Sequence, residues 1–164
     1  MIWDDDDDDD FNWDKLSEEE KAAMDREQKE EEKRMRNHPL YKQAFEILNT
    51  VNAVIESLPE QDREFHSPML ESACMLAPKF AGVFECGDWL ITVQNAALMR
   101  YHAAYIATGT YGFEMYGEVD MRYVHILRQE MESYKKVFNA WMKEVHAMPH
   151  TEMDVDDEWG LFVR

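Results

Sequence analysis

Between residues 120 and 148 the apolar positions fall in steps of three and four almost without a break: Met121, Val124, Leu127, Met131, Tyr134, Phe138, Trp141, Val145 and Met148. Steps of three and four keep a side chain on one stripe of an α-helix, and charged residues fill the remaining positions. A stripe held for this length predicts a long helix that must lay one face against other helices, so the chain is read as all-α. Pro149 ends the run.

The same period extends backward. Leu40, Ala44, Leu48, Val51, Ile55 and Leu58, flanked by Tyr41, Phe45 and Val54, predict a helix that starts behind Pro39 and stops at the "SLPE" turn. "SPMLE" then reads as a start signal, with Ser67 as N-cap and Pro68 in the first turn. Leu70, Ala73, Leu76, Ala77, Phe80 and Phe84 continue the apolar face, and Pro78 is expected to kink or interrupt it. Asp88 is the next predicted N-cap. The helix it opens, about 89–108, is apolar on most of its circumference, which a helix buried on one side does not need. The surplus predicts contact between subunits, and Trp89, Ile91, Leu98 and Ile106 are its expected interface residues. "TGTYGFEMYGEVD", with three glycines, reads as the loop into the last helix. The predicted fold is an antiparallel four-helix bundle over residues 38–149, with no strand-period segment and no repeat.

Charge separates the remainder of the chain. Residues 1–14 carry Asp4 to Asp10 and Asp14 with no base, and cannot bury enough apolar surface to offset their ordering and self-repulsion. Residues 15–37 predict a charged helix with a Ser17–Glu20 capping box and little to dock. Residues 150–164 form a second acidic tail. The two tails account for most of the formal charge of −18. An acidic surface repels phosphate, so direct binding of nucleic acid is not expected and a basic protein is the natural partner. Aromatic and apolar residues accompany the acids at both ends: Trp3, Phe11 and Trp13 beside Asp4, Asp5, Asp6, Asp7, Asp8, Asp9 and Asp10, and Trp159, Leu161 and Phe162 behind the last cluster. These are the candidate partner-binding residues, because acids give salt-sensitive attraction and aromatics give anchoring.

Catalytic and metal-binding readings find little material. No histidine has Glu three positions before it, so the Glu-x-x-His signature of bundle metal sites is missing. Asp62/His66 and His146/His150 are the only helical pairs with ligand spacing, and Pro149 interrupts the second. His102 and His125 fall on mostly apolar helices and read as hydrogen-bonded core or interface residues. Cys74 and Cys86 stand alone, without a second pair, and read as small apolar fillers. "GTYGFEMYG" lacks the lysine of a phosphate loop. No cofactor and no catalytic set is expected. The free thiols, and the absence of a signal peptide or a membrane-length apolar run, predict a cytoplasmic protein.

"PLYKQAFEIL", the "LPEQDR" turn, the frame of "MLESACMLAPKFAG", Gly109 at the close of the third helix and the long last helix carry a resemblance. Residues 39–148 resemble the bacterial four-helix bundle proteins encoded in ribosomal-RNA intervening sequences, a family that includes the accessory variability determinant of diversity-generating retroelements. The resemblance implies a small bundle that assembles in rings, as a pentamer. Ala73, Leu76, Phe80 and Ala81 keep the apolar frame of the family's second helix. Leu70 and Glu71 stand where basic residues are common, Lys79 replaces an asparagine, and Gly82 and Val83 replace Glu-Gly. Three functions follow as expectations. The first is a non-enzymatic, oligomeric interaction or adaptor protein whose acidic–aromatic tails bind a basic partner. The second is an acidic mimic of nucleic acid that inhibits a nucleic-acid-binding protein. The third is a retroelement accessory factor that binds reverse transcriptase and RNA.

Overall fold

The computed structural model describes residues 16–116 and 119–149, with the side chains of 114–116 left aside. It is all-helical among the described residues. The helices are α1 (Glu18–Asn37), α2 (Pro39–Glu56), α3 (Glu60–Arg63), α4 (Ser67–Ala81), α5 (Trp89–Tyr116) and α6 (Met121–His146), with a 3-10 turn at Glu64–His66. No helix among the described residues is long and apolar enough to cross a membrane. The chain divides into two units, Met1–Arg34 and Met35–Arg164.

Of the first unit the structure describes residues 16–34, most of α1, and no residue of α1 is buried. The expected capping box is present. Glu20 N–H donates to Ser17 Oγ at 3.2 Å, and Ser17 N–H donates to Glu20 Oε2 at 2.8 Å. These bonds hold the Glu20 carboxyl below its usual range.

In the second unit, α2 packs on α4 and α6, and α5 packs on α4 and α6, so the four long helices contact one another in a closed cycle. That arrangement is compatible with a four-helix bundle. Leu40, Ile47, Val51 and Val54 of α2, Leu76 and Phe80 of α4, Met99, Ile106 and Phe113 of α5, and Val124, Leu127 and Tyr134 of α6 are buried in the core between them. The stripe read from α6 is the stripe it buries, with Phe138 and Trp141 partly covered. Thr50 Oγ1 donates to Glu130 Oε1 at 2.9 Å, tying α2 to α6 across eighty positions of sequence.

His38 begins α2 in an extended conformation (ψ 135°), as the following Pro39 requires. Its Nδ1 accepts from Leu40 N–H at 3.1 Å, and its ring lies 4.6 Å from Phe80. Asp88 caps α5 as expected, accepting from Ile91 N–H at 3.0 Å.

Four local expectations are corrected. Ser67 does not cap α4: it is already helical, His66 holds the cap position, and the 3-10 turn feeds directly into the helix. Pro78 does not break α4, because it lies in the final turn and only three helical residues follow it. The carbonyl that loses its donor is that of Cys74, an exposed residue. The two cysteines are exposed rather than filling a core. The segment 108–116 is helix rather than loop, continuing α5 through Gly109 and Gly112.

Those two glycines differ in what a side chain would meet. A Cβ at Gly109 would overlap Met69 Cε, the far end of a flexible side chain that could turn aside. A Cβ at Gly112 would meet nothing within 4 Å. Gly112→Ala therefore removes an unfolded-state entropy cost without a clash. Its urea midpoint is expected to rise, corresponding to about 0.5–1 kcal/mol. An unchanged or lower midpoint would show that the helix does not need support there.

Candidate interaction surface

Core packing divides α5 into two seams. Thr92, Ala96, Met99, Ala103, Ile106, Thr110 and Phe113, in steps of three and four, turn toward the core. The two threonines of this seam can be buried because their hydroxyls bond back to their own helix backbone. Thr92 Oγ1 donates to Asp88 O at 2.6 Å, and Thr110 Oγ1 to Ala107 O at 2.7 Å. A second series, Ile91, Gln94, Leu98, Tyr101, Tyr105 and Thr108, keeps the same steps on the outer side of the helix. Ile91 and Leu98 are each 43% exposed, and Tyr101 is 64% exposed. From Trp89 to Phe113 the only Lys, Arg, Asp or Glu is Arg100. Scattered exposed apolar residues are ordinary, but an ordered seam on a helix with almost no charge is a surface suited to another helix.

Beside this seam α4 and α5 enclose a groove of about 650 Å³, lined by Leu70, Cys74, Met75, Tyr101 and Tyr105 with Glu71 at its polar side. Ser72 and His102 share a hydrogen bond at 3.3 Å that joins the two helices within it. Burial, with Lys79 nearby, lowers the His102 pKa and favours the neutral ring. Among the described residues no three His, Cys, Asp or Glu side chains are grouped to hold a metal ion.

The expected interface residues separate on inspection. Ile91 and Leu98 lie on the outer seam, and Trp89 is partly covered at the first turn of α5. Ile106 is corrected: it is completely buried in the core, on the opposite seam. Tyr101 and Tyr105, apolar in the sequence but not singled out, are what the surface adds. Their spacing from Leu98, three and then four, was a usable signal. His125, expected in a core or interface, is exposed on α6. The tail candidates Trp3, Asp4 to Asp10, Phe11, Trp13, Trp159, Leu161 and Phe162 lie outside the described residues. No family model matches the chain, and neither a curated protein nor a solved structure matches it.

Three histidines contribute a pH dependence of one sign, against that of Glu130, whose carboxyl pKa is raised by burial. Burial lowers the pKa of His38, His66 and His102 in the folded chain, against small opposing charge effects from Glu144 on His38 and Asp62 on His66. The unfolded chain then binds more protons below the ordinary histidine value of 6.5, so stability rises with pH through that range. Protonating His38 also removes the acceptor that caps α2. The urea midpoint is expected to fall between pH 7 and pH 5.5, and the slope to shrink in His38→Asn, which can cap without titrating. Equal slopes in both proteins would show that His38 takes no part.

Proposed function

We propose that this chain is a non-enzymatic interaction protein: an antiparallel four-helix bundle that associates with copies of itself through the outer seam of α5, and that uses its acidic–aromatic tails to bind a basic partner. The observation that carries the reading is the exposed series Ile91, Leu98, Tyr101 and Tyr105 on a helix whose only charged residue between 89 and 113 is Arg100. Burying such a seam against a second helix removes apolar surface from water at about 25 cal/mol per Å². The resemblance of residues 39–148 to ring-forming bundle proteins favours a closed assembly, of which five copies is the specific form.

Light scattering across micromolar concentrations tests the assembly. A mass well above the single-chain 19.5 kDa is expected, and a stable monomer would overturn the self-association. The tails are tested by affinity capture from the native host with and without residues 1–14. Loss of a basic protein on deletion, with weaker capture as salt rises, is the expected result. The melting temperature should stay nearly unchanged, since the seven aspartates repel one another and bring no apolar surface to bury.

A further inference from the structure

On a different flank of α5, a hollow of about 300 Å³ separates it from α6. Ala103 and Ala107 form part of its α5 side, where their short side chains leave unfilled the space that larger residues would occupy. Tyr134 and Phe138 line it from α6. Tyr134 is only 2% exposed, and its hydroxyl has no hydrogen-bond partner among the described residues. That hydroxyl is out of reach of water, so it is the ring of Tyr134 that an occupant would meet. Burial raises the phenol's pKa, so the hydroxyl keeps its proton. Arg100 and Lys135 also line the hollow, with Glu132 as the single acid, and neither cation is in an ion pair among the described residues. The site therefore asks for an apolar group accompanied by carboxylates.

This chain contains such a segment, attached to the helix that forms half of the hollow. Residues 150–164 place Glu152, Asp154, Asp156, Asp157 and Glu158 ahead of Trp159, Leu161 and Phe162. Lys135 precedes the end of α6 at His146 by eleven positions, roughly 16 Å along the axis at 1.5 Å per residue. The thirteen positions from His146 to Trp159 can span about 40 Å, so the chain reaches back without strain. Acids are disfavoured where α6 ends, because the helix dipole is negative there. Lys143 and then Lys135 offer cations along the return path. Tethering keeps the local concentration high, so modest contacts suffice.

We infer that residues 150–164 fold back along α6 and seat the Trp159–Phe162 segment in the α5–α6 hollow, with the preceding carboxylates against Lys135 and Arg100, which leaves residues 1–14 as the tail that binds a basic partner. The hollow lies on another side of α5 from the outer seam, so this contact does not depend on self-association. Carbodiimide, which joins carboxylates to amines in direct contact, tests it on the full-length chain, with the links mapped by mass spectrometry. A link between Lys135 and a carboxylate of residues 152–158 is expected. In a mixture of ¹⁴N- and ¹⁵N-labelled protein the linked peptides should carry one isotope only. The double variant Trp159→Ala/Phe162→Ala, which leaves all described residues unchanged, should reduce the link about tenfold, the ratio for a loss of about 1.4 kcal/mol. No link at Lys135, a link that survives the double variant, or links that join differently labelled chains would each overturn the proposal.

Discussion

Phe80→Ala is expected to destabilise the second unit by about 3–5 kcal/mol, the range for truncating a buried aromatic side chain. Phe80 is 1% exposed and stands at a junction of three helices. Its ring lies 4.6 Å from His38 at the start of α2, 5.5 Å from Trp141 on α6 and 5.7 Å from Phe84 beyond α4. Aromatic pairs at these separations add about 0.5–1.5 kcal/mol each to the area they bury. The substitution therefore leaves a cavity and also frees the imidazole that caps α2. Domains are stable by about 5–15 kcal/mol in total, so the loss is a large share of the whole. At about 2–4 °C per kcal/mol for a chain of this size, the melting temperature should fall by roughly 6–20 °C. Phe84→Ala, at a partly covered site, is the control and should cost less. A Phe80→Ala protein that melts within a degree or two of the parent would show that these rings do not form the junction.

Leu98→Asp is expected to separate the proposed assembly while leaving each copy folded. Leu98 is 43% exposed in the isolated chain, so an aspartate there can stay hydrated and should shift stability by less than about 1 kcal/mol. Across a helix–helix seam the same charge would have to give up its water, which costs several kcal/mol when no partner compensates it. Each 1.4 kcal/mol is a factor of ten in affinity, so association should weaken by roughly a hundredfold or more and give single chains at micromolar concentration. Ile106→Asp gives the contrasting outcome. Being completely buried, it should unfold the chain rather than dissociate it. Light scattering and circular dichroism on both variants separate the two effects. An unchanged mass for Leu98→Asp would exclude the outer seam as the contact.

The helical class and the α6 stripe were legible because charged residues separate the apolar ones, so the period stands out. The start of α2 was legible from Pro39, and that of α5 from Asp88, because each acts within one turn of chain. On α5 the contrast fails. Ile106 and Leu98 are equally apolar, and only the neighbours they meet decide that one is core and the other surface. The end of α5 was misread for a related reason. Gly109 and Gly112 favour a loop by local preference, while Thr110 and Phe113 buried in the core favour helix, and packing outweighs the preference. The α5–α6 hollow was illegible because an absence of side-chain volume appears in sequence only as the alanines Ala103, Ala104 and Ala107.

The two seams of α5 tie together demands that a protein can usually adjust separately. One residue inserted near its middle would turn everything beyond it by about 100°, carrying tyrosines into the core and Ile106 into water. Three or four residues added together would come close to a whole turn, and seven would return both seams to within about 20° of their places. Length variants of this helix should therefore survive only in such steps. Point changes are freer on the outer seam, where they alter association without touching the core. The shape of the molecule and its choice of companions are in this sense written in one phase, and neither can slip without the other.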